Sequence, residues 1–325
     1  MDIWYGLDAV PELPGRTVVT IGVFDGVHRG HQRLIKQAVE LARQGGHESV
    51  VMTFDPHPIE VFAPERTPTT LTSLQDRAAL LESFGVDHML IIDFTKELAG
   101  ELPEDYFRCV LVNTLKATHV VVGENFTFGA QGAGTAETMR ELGSQYGVDV
   151  TVVELLVEEG QRVCSTYIRE QLSSGNADVA AQALGRNFTV TGEVEHGAGR
   201  GGTELGYPTA NQYFSESEAL PADGVYAGWI TIVDGEEKGP IDGDMVPGVK
   251  YPTAISIGTN PTFGDNERSV ESFILDQKAD LYGRMATVEF VEKVRDMVKF
   301  HSVDELLENM SNDVQKTRTV LGLNS

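Results

Sequence analysis

The sequence predicts two domains of different class: an α/β domain built on a parallel sheet, then a small antiparallel β-barrel that ends in one helix. Three observations predict this. The chain has 325 residues, about twice the length of a common single domain. Its first half alternates short β-rich runs with amphipathic stretches, as in a parallel sheet covered by helices. After Gly185 that alternation stops, and short β-rich runs follow one another between Gly-, Pro- and Asp-rich loops. The boundary is expected near residue 186, giving domains 1–186 and 187–325.

Each element follows from local pattern. Thr17 to Phe24 is a buried-strand run, and Arg33 to Arg43 then places Leu34, Ile35, Ala38, Leu41 and Ala42 at helical spacing. Gly45-Gly46 stops that helix. Strand-like runs recur at 49–54, 88–94, 119–123 and 148–155, with helical patterns over 74–84, 103–115 and 135–146. Two more helical stretches, 166–172 and 177–184, close the first half. In the second half β-rich runs cover 188–195, 225–233, 253–257, 270–276 and 286–294, followed by a helical pattern over 303–321.

Composition excludes several classes. Hydrophobic residues make up 41% of the chain, enough for a core in each half, so it is neither disordered nor fibrous. No apolar run approaches the ~18–20 residues that span a bilayer. The segment Met1–Tyr5 has no basic flank and no apolar core, so it does not read as a signal peptide. With two cysteines only, Cys109 and Cys164, a disulfide framework is ruled out and a cytoplasmic location is expected. Lys and Arg number 25 against 49 Asp and Glu, a net charge of −24. That balance repels a phosphodiester backbone, so no nucleic-acid partner is expected.

The strongest chemical signal runs from Gly22 through Val23-Phe24-Asp25-Gly26-Val27-His28-Arg29-Gly30 to His31. It sits where a buried strand ends and a helix begins, the usual ligand edge of a parallel sheet. Gly26 and Gly30 let backbone approach phosphate oxygens, and the helix start offers N–H groups to an anion. His28 and His31 can face one phosphate and steady charge that develops at phosphorus. A plain turn with two exposed histidines, or a metal pair, is the alternative; no third ligand lies nearby in an obvious pattern. Phe-Asp-Gly and the strand-to-helix setting favour the phosphate reading.

This segment resembles the His-x-Gly-His signature of the nucleotidylyltransferase superfamily, whose fold is a Rossmann-like parallel sheet. Two later segments match the same family in order. Gly123–Gly129 contains Asn125, which the resemblance implies holds ATP. Ser165-Thr166-Tyr167-Ile168-Arg169 is similar to the family's Ser-Ser-Thr-x-x-Arg motif, with Cys164 where the first Ser normally stands. Hydroxyls of Ser165 and Thr166 then serve phosphates, and Arg169 offsets charge on leaving pyrophosphate; as isolated residues they would read as helix caps. The resemblance places Gly22, Phe24, Asp25, Gly26 and Gly30 in the nucleotide site too. It also implies that Thr53–Pro58 helps form a flavin pocket, with Phe62 or Phe128 stacking on the ring. His57 reads as structural or as a loop contact.

The barrel half opens with a glycine-dense run holding Gly199, Arg200, Gly201, Gly206 and Pro208, able to wrap phosphates with its N–H groups. It lacks the Gly-Lys-Ser/Thr ending of a Walker loop, and without its neighbours it would read as a hairpin loop. Pro208-Thr209-Ala210-Asn211 closely resembles the Pro-Thr-Ala-Asn motif of riboflavin kinases, which implies that Thr209 and Asn211 serve nucleotide-bound Mg²⁺. Asn260 and Glu271 lie in further blocks similar to that family, whose Glu in this position is the general base. Arg295 is expected as a flavin or phosphate contact, with an exposed ion pair as the alternative.

Together these motifs, from Gly22 to Arg295, look like the bifunctional bacterial riboflavin kinase/FAD synthetase family. The resemblance implies that riboflavin and ATP give FMN in the barrel, and that FMN and ATP give FAD and pyrophosphate at the histidine site. Riboflavin, FMN and ATP are then the small-molecule partners, with Mg²⁺ accompanying ATP, and no membrane is involved. Rival readings are an enzyme with one live activity, a nucleotidyltransferase for another small phosphate such as a pantetheine or phosphocholine compound, and a non-catalytic flavin or nucleotide sensor.

Overall fold

A computed structural model describes residues 1–196, 209–233, 238–260 and 265–323, arranged as two compact units, Met1–Ser165 and Thr166–Ser325. In the first unit six strands form one parallel sheet: β1 (Asp2–Tyr5), β2 (Thr17–Ile21), β3 (Glu48–Asp55), β4 (His88–Asp93), β5 (Ala117–Gly123) and β6 (Asp149–Val153), in spatial order β1-β4-β3-β2-β5-β6. Every residue of β2 is buried, as a parallel strand covered on both faces requires. Val19, Ile21, Met52, Leu90 and Val122 pack on one face against Phe107, Leu111 and Met139. Val51, Met89 and Ile91 pack on the other against Ile35, Val39 and Leu81. Each large side chain so buried contributes about 1.5–3 kcal/mol.

The strand order matters for chemistry. The chain leaves β2 toward β3 on one side, and later returns to β5 on the other. The reversal point therefore lies between β2 and β5, and both carboxyl-terminal loops emerge there side by side. Helix α1 (Arg29–Gly45) starts a full turn earlier than the apolar spacing predicts, because the His28 side chain caps it. Strand β2 ends at Ile21 and not at Phe24. Phe24 has φ of 53°, a left-handed conformation that a strand cannot hold. Helix α2 (Leu74–Ser83) is capped by Ser73, and α3 (Ala136–Tyr146) by Thr135.

The second unit opens with α4 (Ser165–Ser173, whose first residue closes the first unit) and α5 (Ala177–Leu184), and α5 packs on the strands that follow. That packing puts both helices with the barrel in the compact division, whereas the sequence boundary is 186. Six antiparallel strands follow: β7 (Phe188–Glu193), β8 (Thr209–Tyr213), β9 (Gly224–Ile232), β10 (Lys250–Asn260), β11 (Asp265–Ile274) and β12 (Met285–Arg295), in order β7-β12-β9-β10-β11-β8. The ends of the sheet meet. Glu195 N donates to Asn211 O at 2.8 Å, and buried Gln212 gives Nε2 to Gly192 O and Ala286 O, each at 2.8 Å. The sheet is thus a barrel filled by Ile230, Ile255, Ile257, Val270, Val288 and Phe290. The sequence marks β8 only as a motif within a loop; pairing with β11 makes it a strand.

Helix α6 (Val303–Val320), capped by Ser302, closes the unit. Arg295, expected as a flavin or phosphate contact or as an ion pair, forms an ion pair here. Its Nε donates to both Asp313 oxygens at 2.9 and 3.1 Å, Nη2 to Oδ2 at 2.7 Å, and Nη1 to Asp296 O at 3.0 Å. A buried carboxylate without this fork would stay uncompensated, so Arg295 pins α6 to β12. Arg295→Met keeps much of the side-chain bulk but leaves buried Asp313 without its guanidinium. It is expected to lower second-unit stability by about 3 kcal/mol in urea melts.

Candidate active sites

The first site is built on the loop between β2 and α1. Gly26 has φ of 81° and Val27 of 40°, so the turn places three residues, with Phe24, in the left-handed region. For Phe24 and Val27, both fully buried, this is strained backbone that surrounding contacts must hold. Gly22 gives its N–H to Met52 O, and a Cβ there would come 3.2 Å from the Phe24 ring. Gly30 sits in the first turn of α1, where a Cβ would meet His28 Cε1 at 3.0 Å. These two glycines make room for Phe24 and His28.

The two histidines come together as their spacing predicts. Their rings stack at 3.6 Å with 21° between planes, and Phe24 meets His31 edge-on at 5.2 Å. His28 Nδ1 accepts from His31 N at 3.2 Å. An accepting Nδ1 carries no proton, so the neutral His28 ring carries its proton on Nε2 and is a donor there. Burial, aided by His28 and by the Arg77 guanidinium, holds His31 well below the usual imidazole range. A His with a depressed folded pKa stabilises the fold fully above about pH 6.5 and loses that contribution as pH falls toward and through the folded value. The thermal midpoint of the wild-type protein is therefore expected to fall more steeply from about pH 7.5 to 5.5 than that of His31→Asn.

Asp25, expected beside the nucleotide, turns inward. Its carboxylate is 4% exposed and accepts from Leu71 N at 3.0 and 3.1 Å and from Thr72 N at 3.1 Å. Gly26 N donates to Thr72 Oγ1 at 3.0 Å, so this amide is directed away from a phosphate. Ser165 Oγ donates to Asp25 O at 2.9 Å and fastens the same turn. Thr166 and Arg169 belong to the second compact unit, beginning directly after Ser165. Asn125 is exposed in the turn after β5, and its Oδ1 would lie 3.3 Å from a Cβ on Gly123.

Around β3 and β4 lie several aromatic rings. Phe54 meets Phe94 edge-on at 5.4 Å, and exposed Phe62 meets Phe94 at 6.2 Å. Phe128 is buried against Phe126 and Tyr106. His57 Nδ1 accepts from Ile59 N at 3.1 Å and caps a short helical turn. Val23, Asp55, His57, Thr67, Thr72 and Arg77 line a cavity of about 200 Å³ beside the loop. Thr72 and Arg77 escape a reading of the sequence. Thr72 resembles any residue before a capped helix, and Arg77 any surface charge on one.

In the second site, register does the assembling. Asn211 on β8 lies opposite Glu271 on β11, and Glu271 lies opposite Ser256 on β10. Thr209 and Asn211 share a strand face because their spacing is two. Thr209 Oγ1 donates to Asn211 Oδ1 at 3.1 Å, and Ser269 Oγ donates to Glu271 Oε1 at 3.1 Å. Oxygen donors thus stand beside one carboxylate, a set that suits a hard cation completed by phosphate and water. No cluster of three His, Cys, Asp or Glu side chains suited to a metal occurs among the described residues. Ser269 opens the same sequence block as Glu271, which marks its place but gives it no role of its own. Gly199, Arg200, Gly201, Gly206 and Pro208 lie outside the described residues, as does the side chain of Asn260.

Comparison with known proteins gives one family for each half. The family described as FAD synthetase matches residues 10–167, and the riboflavin kinase family matches residues 184–321. The bifunctional riboflavin kinase/FMN adenylyltransferase of Escherichia coli (strain K12) is 35% identical over 306 residues, covering 94% of this chain and 93% of that one. Its counterpart in Bacillus subtilis (strain 168) is 33% identical over 312 residues, covering 94% and 93%. Among solved structures, a macrolide-efflux protein from Streptococcus pneumoniae matches with a TM-score of 0.85 and 30% identity, covering 98% of this chain and 99% of that one. No helix among the described residues is long and apolar enough to cross a membrane.

Proposed function

Because the chain belongs to the bifunctional riboflavin kinase/FMN adenylyltransferase family, we propose that its two sites make FAD in sequence, each from its own ATP. It phosphorylates riboflavin to FMN and adenylylates FMN to FAD. The observation that carries this reading is the pair of family matches, one on each half, together with a separate cluster of chemistry-bearing residues in each half.

In the kinase step Glu271 takes the proton of the ribityl terminal hydroxyl while that oxygen attacks the γ-phosphorus, and ADP leaves. Ser269 holds one carboxylate oxygen of this base. Asn211, opposite on the neighbouring strand, orients the triphosphate with Thr209. These two oxygens fit Mg²⁺, which when bound with ATP would neutralise phosphate charge. Gly199, Arg200, Gly201, Gly206 and Pro208 of the glycine-dense run, with Asn260, contact the nucleotide in this reading.

In the adenylyl step an FMN phosphate oxygen attacks the α-phosphorus of ATP, and the bond to pyrophosphate breaks. His28 Nε2–H and His31 donate to the oxygens whose charge grows. Asn125 and the start of α1 hold the nucleotide, and Thr166 and Arg169 serve the leaving pyrophosphate. Gly22, Phe24, Asp25, Gly26 and Gly30 shape the loop, and Ser165 secures it. We place the functional divide near residue 186 and the protein in the cytoplasm, acting on small molecules.

Incubating the protein with riboflavin, ATP and Mg²⁺ and separating the products is the direct test. FMN is expected first and FAD after it. Unchanged riboflavin sinks the kinase reading, and FMN that never advances to FAD sinks the adenylyl reading.

A further inference from the structure

The histidine loop is held from behind by residues that neither the motif nor the reaction names. Thr72 is 6% exposed and lies far along the chain, yet it meets the turn through both its side chain and its backbone. Its Oγ1 accepts from Gly26 N at 3.0 Å and donates to Asp25 Oδ1 at 3.3 Å; its N donates to Asp25 Oδ1 at 3.1 Å. Its carbonyl accepts from Arg77 Nη2 at 3.3 Å. Arg77, 5% exposed, lies 3.7 Å from Asp25 and gives Nη1 to Thr53 Oγ1 at 3.2 Å, while Thr53 Oγ1 donates to Val23 O at 2.9 Å.

These bonds close a ring around Val23–Gly26, the stretch that contains strained Phe24 and precedes strained Val27. Left-handed backbone at a buried Phe or Val persists only where the surroundings over-determine it. The helix that carries His31, with His28 as its cap, starts directly afterwards. A turn that relaxed would move that cap and both rings.

We propose that Thr72 is a positioning residue of the adenylyl-transfer site: its hydroxyl locks Gly26 and Asp25 in the strained turn that aims His28 and His31. This rests on the adenylyl reading of that loop. The hydroxyl is the part required, because the methyl group of Thr72 can be kept in Val while both hydroxyl bonds are lost.

Thr72→Val and Thr72→Ser test it, with FMN and ATP as substrates and riboflavin phosphorylation measured in parallel. For Thr72→Val, kcat of FAD formation is expected to fall about 10- to 100-fold, the cost of misplacing reacting groups by an ångström or less. KM for FMN and ATP, and the kinase rate, stay at wild-type values. Thr72→Ser restores kcat to within about twofold, since it restores the hydroxyl. Wild-type kcat in Thr72→Val overturns the proposal. So does a rise in KM alone, which would make Thr72 a binding contact, and so does a Thr72→Ser variant as slow as the Val one.

A measurement on the wild-type chain guards against a variant that fails to fold. The Gly26 amide, bonded to Thr72, is expected to resist hydrogen exchange before any nucleotide is added. Protection that appears only with ATP overturns the proposal. Inactive wild-type protein with a protected Gly26 amide would instead defeat the adenylyl reading and leave the brace standing.

Discussion

Glu271→Ala is expected to stop FMN formation from riboflavin while FAD formation from supplied FMN continues at the wild-type rate. The carboxylate stands on β11 opposite Asn211 and accepts from Ser269 at 3.1 Å. It is the carboxylate that the register sets beside the oxygens of Thr209 and Asn211. Proton removal by a positioned base contributes about 10²- to 10⁴-fold, so the kinase rate should fall within that range. Glu271→Gln keeps the shape and loses the carboxylate, and should be as slow if Glu271 is the proposed base. Measuring ADP release with riboflavin, and pyrophosphate release with FMN, separates the two activities. Loss of both in a folded variant would show the partition to be wrong.

The reciprocal result is expected for His28→Ala. FAD formation should fall about 10²- to 10³-fold, the usual cost of removing one preorganised donor to a developing oxyanion, while FMN still accumulates from riboflavin. This substitution also removes the cap on His31 N, worth about 1 kcal/mol. His28→Asn separates these effects, because Asn can still cap the helix yet places no donor where Nε2–H stands. An Asn variant as slow as the Ala variant assigns the loss to the imidazole. Full activity in His28→Asn would leave the ring no role beyond capping.

The two sites were legible to different degrees. His28 and His31 stack because a spacing of three on a helix start brings rings together, and that is local geometry. Thr209 and Asn211 share a face for an equally local reason. The inward turn of Asp25 was not legible. A carboxylate in a glycine loop looks the same in sequence whether it faces a ligand or the backbone of Leu71 and Thr72. The ion pair of Arg295 was illegible for the same reason. An Arg at the end of a strand gives no sign that Asp313, in the following helix, takes its fork.

The sequence by itself determined the two fold classes, the alternation that makes one sheet parallel and the other antiparallel, and the motifs on which the two proposed phosphate sites rest. These rest on periodicity and on contiguous motifs, where neighbours along the chain are neighbours in space. Tertiary structure alone decided that Asn211 stands beside Glu271, that Thr72 and Arg77 brace the histidine loop, and that Arg295 serves helix α6. Those pairings depend on strand register and on which polar groups are left in need of partners after burial. Neither quantity is written in any short stretch of chain.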